Sequence, residues 1–304
     1  MNRVNRRIRR PAVAGYFYPQ DATALREAIE GAFLSPLGPG TLPEVNTPGP
    51  RCLVGLVAPH AGYPYSAQCA AWSYFAAARD GIPETAMLLG VNHRGAGSPL
   101  ALSPDDGWMT PLGISPVDAA LGQRLRELAP QAVPDAGAHA AEHSIEVQAP
   151  FVQYLFGELP ILPILIGHLS DDEVMLLGRA LAALAKERDL LIIASTDFSH
   201  YVSQETAFRL DRAALDAIAA VQPAALIDTV RRRDISMCGV LPVTALLAAA
   251  QALGARSASV LHYHTSGDVT GDRQAVVGYG AAAIFRDAVT EGADASHPDR
   301  GLGC

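Results

Sequence analysis

The chain has 304 residues, 49% of them hydrophobic and 18% charged, enough to bury a large core in one big α/β domain or two small ones; we expect one. A formal charge of -8 with no Lys/Arg cluster in the body of the chain argues against a nucleic-acid groove, and no run of about 18 apolar residues predicts a membrane span. Cys52, Cys69, Cys238 and Cys304 show no framework or C-x-x-C spacing, which points to free thiols in a reducing compartment, the cytoplasm.

In chain order, Arg3, Arg6, Arg7, Arg9 and Arg10 make residues 1–10 a basic arm without the apolar core of a secretory signal. The folded domain is expected over 11–287, with a loose polar tail at 288–304. Val13 to Pro19 is too aromatic for a surface tail and is expected to fold back over the domain. Asp21 then precedes a helical pattern through Leu25, Ile29 and Phe33. Residues 35–50 are rich in Pro and Gly and read as a loop. The continuous apolar run Leu53 to Ala58 reads as a strand covered on both faces, followed by Pro59 and His60. Residues 66–79 make a crossover helix to a second strand at 86–91, parallel to the first and followed by Asn92 and His93.

Loops and short strands fill 95–115, and Val117, Leu121, Leu125 and Leu128 mark a helix over 116–129. The stretch from Ala141 to Phe151 opens a further helix despite Pro150, with His143 and Glu146 on one face of its entrance. A strand at 161–166, a helix at 171–187 and a strand at 190–195 follow, the last running into Thr196, Asp197 and His200. Helices are expected at 204–220, at 223–231 and from Cys238 to 253. The position of Cys238 at a helix amino terminus favours the thiolate. Strands at 258–265 and 275–285 close the chain as an antiparallel pair around the turn-rich Ser266 to Asp272. This is the pattern of an α/β fold with a mainly parallel, helix-covered sheet.

His60, His93, His143, Asp197, His200 and Cys238 all fall at strand ends or helix starts and outside any core periodicity. His, Cys and carboxylates are ligands of first-row metals, and their origin in distant segments argues for a functional site over a structural clamp. His262 and His264 alternate on one strand face and suit hydrogen bonding as well as ligation. His139 and His168 have no partner legible in the sequence.

Val13-Ala14-Gly15-Tyr16-Phe17-Tyr18, Pro59-His60-Ala61-Gly62-Tyr63, Gly90-Val91-Asn92-His93, Glu142-His143-Ser144-Ile145-Glu146, Ser195-Thr196-Asp197-Phe198-Ser199-His200, Cys238-Gly239 and Ser266-Gly267-Asp268 occur in the order of the Memo-like family, which the chain resembles from about residue 10 to residue 286. Its prokaryotic members are labelled AmmeMemoRadiSam system protein B. The resemblance implies an α/β fold similar to class III extradiol dioxygenases, the LigB-like fold. It also implies a metal on His60, His93 and Cys238, with Asp197, His200 and His143 lining the pocket. Animal members are described as iron- or copper-binding redox proteins and as binders of phosphotyrosine peptides, and prokaryotic members are named for the company of a radical SAM protein. One departure is Val13, where animal members carry His.

These observations leave three classes open. The first is a redox enzyme with Fe(II), acting on a small molecule with His143, His200 and Asp197 as its acid–base groups; Cu or Zn is the alternative metal. A thiolate in place of a carboxylate makes ring cleavage of the extradiol type less favoured. The second is a metal-dependent hydrolase. The third is a non-catalytic peptide- or metal-binding protein.

Overall fold

The computed structural model describes residues 6–47 and 50–286. After a short first strand β1 (Ile8–Arg9), helix α1 (Ala22–Leu34) is capped by Asp21, whose side chain accepts from Ala24 N. The apolar runs then supply β2 (Leu53–Ala58) and β3 (Thr85–Val91) on either side of α2 (Tyr63–Asp80). A region of short elements follows, with β4 (Leu100–Leu102), β5 (Gly107–Thr110), β6 (Gly113–Pro116), α3 (Ala119–Leu128), β7 (Val133–Pro134), α4 (Ala136–His139) and α5 (Ala149–Phe156). Regular alternation resumes with β8 (Ile161–Ile166), α6 (Asp171–Glu187) and β9 (Leu190–Ser195). The chain ends in β10 (His200–Val202), α7 (Gln204–Ala219), α8 (Pro223–Arg233), α9 (Val240–Ala252), β11 (Ala258–Thr265), α10 (Ser266–Thr270) and β12 (Val276–Phe285).

Among the described residues the main sheet has nine strands, and its centre is parallel in the order β2, β9, β3, β8. Antiparallel pairings flank this centre: β4 against β8 on one side, β12 against β2 and β11 on the other. The central strands are apolar throughout because both faces are covered. Met87, Leu89, Ile164 and Ile192 pack against α6 and α9 through Leu181 and Leu246. Leu88, Leu165 and Ile193 face Ile29, Phe33, Tyr74 and Phe151 of α1, α2 and α5. Each such fully buried side chain contributes about 1.5–3 kcal/mol. The crossover from β2 through α2 delivers β3 parallel to β2, as expected, but β9 is inserted between them. Three strand ends therefore stand side by side. Among the described residues, no helix is long and apolar enough to cross a membrane.

Three expectations change. Residues 8 and 9 are not the end of a basic arm. They pair in parallel with β5, Ile8 opposite Gly107 and Arg9 opposite Trp108. The Arg9 guanidinium is buried over the Trp108 ring and 2.7 Å from Glu146, the charge partner that such burial requires. The helix expected to open at 141 begins at Ala149 instead. Pro150 sits in its first turn, where a missing N–H costs nothing, and residues 141–148 are turns. Finally, Cys69 and Cys238 are free thiols, but Cys52 is half-buried and disulfide-bonded. Residues 1–5 of the expected arm and the tail from 287 lie outside the described residues.

Candidate metal centre

The insertion of β9 between β2 and β3 brings His60, two residues past β2, beside Asp197, two past β9, and His93, two past β3. Ligands collect at such carboxyl ends in open parallel sheets. Two glycines admit the remaining parts. A Cβ on Gly239 would collide with the Ser195 carbonyl oxygen and with Thr196, so only glycine lets the start of α9 press onto the end of β9 and carry Cys238 inward. A Cβ on Gly90 would meet Ser144 Oγ at 2.6 Å and also Ile145, so glycine again admits the 141–148 loop against β3.

The result is a cluster of His60, His93 and Cys238 whose ligand atoms lie within 4.8 Å of one another. His60 Nε2 is 3.2 Å from Cys238 Sγ. Two tetrahedral ligands at about 2.1 Å (nitrogen) and 2.3 Å (sulfur) would stand roughly 3.6 Å apart, so little movement separates this pair from ligation.

The hydrogen bonds fix which nitrogen each ring presents. Ser195 Oγ donates to the Ser144 carbonyl at 2.7 Å, and so must accept from His60 Nδ1 at 2.9 Å and from Gln148 Nε2 at 2.8 Å. The proton of His60 is on Nδ1, and its Nε2 lone pair faces Cys238. His93 Nδ1 lies 2.9 Å from Glu142 Oε1, an acceptor, so this ring too keeps its proton on Nδ1 and offers Nε2. Metal-bound histidines commonly hold their second nitrogen this way. The donor set and its tautomers therefore suit a metal ion.

Burial dominates the electrostatics. It pushes His60 well below the ordinary imidazole value, and the neighbouring His143, His93 and His200 push it further down. Burial lowers His143 to about 4 against the pull of Glu142. Burial would raise the Glu142 carboxyl, but hydrogen bonds from His93 and Ser144 N outweigh it and hold the group at about 2. Burial raises Asp197 to about 6, although His60 N donates to it at 2.8 Å. Without a metal, burial and then Asp197 push the Cys238 thiol up to about 12, so the helix amino terminus alone does not favour a thiolate here.

All six residues expected at the site stand in one neighbourhood, in unequal roles. His143 stacks on His93 with ring centres 4.6 Å apart and lies 5.4 Å from His60. Asp197 binds His60 through its carboxylate and Cys238 through its backbone, its N–H 3.3 Å from Sγ. His200 stands at the rim, its Nδ1 donating to the Ser236 carbonyl at 2.9 Å. His143 and Glu146 do not share a face, because the loop turns Glu146 away toward Arg9. Glu142, Ser195 and Gln148 were missed as site residues. The adjacency of Glu142 to His143 was a usable signal, but nothing local marks Gln148. His139, partnerless in the sequence, is buried with its Nε2 on the Ala101 carbonyl.

A family profile described as Memo-like protein matches residues 9–283. A MEMO1 family protein of Methanopyrus kandleri is 45% identical over 281 residues, 91% of this chain and 99% of the relative. One of Methanothermobacter thermautotrophicus is 43% identical over 274 residues, 90% of this chain and 98% of the relative. In fold, the chain resembles an uncharacterized protein of Escherichia coli K12, with a TM-score of 0.53 and 16% identity over 76% of this chain and 99% of that one.

Proposed function

The chain belongs to the Memo-like family, and on that premise we propose that it holds one Fe(II) on His60 Nε2, His93 Nε2 and Cys238 Sγ and carries out redox chemistry on a small molecule. The observation that carries this reading is the convergence of three donors from separate segments, two of them with tautomers fixed by Ser195 and Glu142. Three protein donors are the number found where a metal keeps positions open for chemistry. Partial exposure of the His93 and His143 side chains, 29% and 23%, gives a substrate a way in. Iron on such a site supplies open coordination positions and electron transfer.

The surrounding residues supply the rest. Ser195 and Glu142 orient the two imidazoles. Asp197 fixes the backbone of His60 and lines Cys238 with a peptide N–H that favours negative charge on sulfur. His143 has Nδ1 turned to Glu142 at 3.4 Å, and its Nε2, which has no hydrogen bond among the described residues, is the end that would accept a proton from a bound substrate. His200, at the rim, exchanges protons with solvent. The small molecule is the partner this reading assigns, and a functional link to a radical SAM protein is a further proposal from the family resemblance.

Anaerobic Fe(II) titration tests the ligand set. One equivalent should bind to the native chain, with affinity at least about 100-fold weaker in His60→Ala, His93→Ala and Cys238→Ser. Equal affinity across the four proteins would refute the assignment. Nitric oxide added to the Fe(II)-loaded protein should then give a nitrosyl spectrum. Its absence would mean a closed site and a passive metal-binding role.

A further inference from the structure

A second set of imidazoles lies where the amino-terminal half of α2 covers the edge strand β11. His262 and His264 alternate along β11 and face the same way, with ring centres 5.4 Å apart. Tyr65, Cys69 and Trp72 of α2 meet them, and Gln68 lies on the same face of the helix. The Tyr65 carbonyl lies 3.0 Å from His264 Nε2, Cys69 Sγ lies 4.0 Å from the His262 carbonyl, and the Trp72 indole stacks on the His262 ring at 5.6 Å.

Three buried polar atoms here, Gln68 Oε1, His262 Nε2 and His264 Nδ1, have no hydrogen-bond partner among the described residues. Since a carbonyl only accepts, His264 Nε2 carries the proton, and Nδ1, in a residue only 2% exposed, is a bare lone pair. Gln68 donates its Nε2 to the Pro64 carbonyl at 3.3 Å, so its oxygen is the end left over. Burial pushes both imidazoles below their ordinary pKa. Leaving such atoms buried and unpaired is unfavourable, whichever of them donate or accept. An occupant that relieved this cost would have to be a cation or a donor of several hydrogen bonds. The field favours a cation. Asp268 acts electrostatically on both rings, and hydrogen bonds from Thr265 and Gln204 keep it ionised against its burial.

We propose that Gln68 Oε1, His262 Nε2 and His264 Nδ1 form a second metal site, for a divalent first-row cation that prefers imidazole nitrogen, such as Cu(II) or Zn(II). Imidazole pairs with one oxygen donor suit these ions better than Mg(II) or Ca(II). The site is independent of the strand-end cluster, and its failure would leave the iron proposal untouched.

Trp72 makes the test local, because the chain has only two tryptophans and this one stacks on a proposed ligand. Cu(II) titrated into the full chain carrying Cys238→Ser should quench the fluorescence saturably at one equivalent, and Trp72→Phe should remove the quenched component. His262→Ala and His264→Ala should each weaken this binding by at least about tenfold. Electron paramagnetic resonance of the bound Cu(II) should show coupling to two nitrogens. If His264→Ala does not fold, the half-buried His262→Ala decides alone. Absence of saturable quenching, or quenching unchanged by the histidine substitutions, would overturn the site and assign these atoms to ordered water.

Discussion

Glu142 and Glu146 leave the same loop four residues apart with equally buried side chains, yet they organise two different regions. Glu142 accepts from His93 Nδ1 and from the backbone of His93, His143 and Ser144, and so holds the rim of the candidate metal centre. Glu146 accepts from Arg9, from Ala12 N and Val13 N, and from the Tyr18 hydroxyl, and so clasps the amino-terminal segment to the domain. The difference lies in the partner. An imidazole held by one nitrogen still offers the other to a ligand, whereas a guanidinium bound on every side has nothing left to offer. Arg9 also links the regions, because its Nε and Nη2 donate to the carbonyls of His139 and Glu142.

The contrast predicts a largest effect on stability at Glu146. Glu146→Ala leaves Arg9 buried without its counter-charge, which should cost about 3–5 kcal/mol of unfolding free energy. Denaturant unfolding measures this, and a loss below about 1 kcal/mol would mean that the clasp does not hold the fold. The remaining folded protein should lose less Fe(II) affinity than the Glu142 variant described below.

Acid should loosen the same clasp through His139. Burial lowers this imidazole to about 4, a bond to the Ala101 carbonyl opposes the shift, and Arg9 adds to it. Its unfolded value, about 6.5, is higher, so between these values the unfolded chain binds the extra proton. Stability is therefore full above about pH 6.5 and falls as pH drops toward 4, by up to about 3 kcal/mol. Unfolding free energy followed across that window should slope less in His139→Gln. Parallel curves would break the link between His139 and the clasp.

The smallest effect should be confined to the metal. Glu142→Gln cannot draw the His93 Nδ1 proton as a carboxylate does, and should weaken Fe(II) binding by roughly 10 to 100-fold. Thermal stability should change little beside the Glu146 variant. A variant that lost stability but kept its metal affinity would reverse the roles assigned to the two glutamates.

Much of the fold was legible along the chain. The unbroken apolar runs of β2, β3, β8 and β9, and the helix expected at 171–187, are local patterns with local causes. The neighbourhood of the site was legible as well, because His60, His93 and Asp197 each follow a strand end that sequence can recognise. Weak or compensated signals were misread. A two-residue strand such as Ile8–Arg9 has no periodicity, and its burial depends on a carboxylate 137 positions away. The 141–148 stretch has helical composition, but it is held as turns by Ser144 Oγ on the Val91 backbone and by Glu142 capping the amides around it.

By itself, then, the amino-acid sequence determined that strands would be covered on both faces, that polar residues would gather at their carboxyl ends, and which residue types would stand there. Only the tertiary structure decided that β9 lies between β2 and β3, which nitrogen His60 and His93 present, and that Glu142 turns inward while Glu146 turns to Arg9. The physical reason is range. Burial and capping follow from neighbours along the chain, whereas strand order, tautomer and charge pairing depend on groups that meet only after the sheet has assembled.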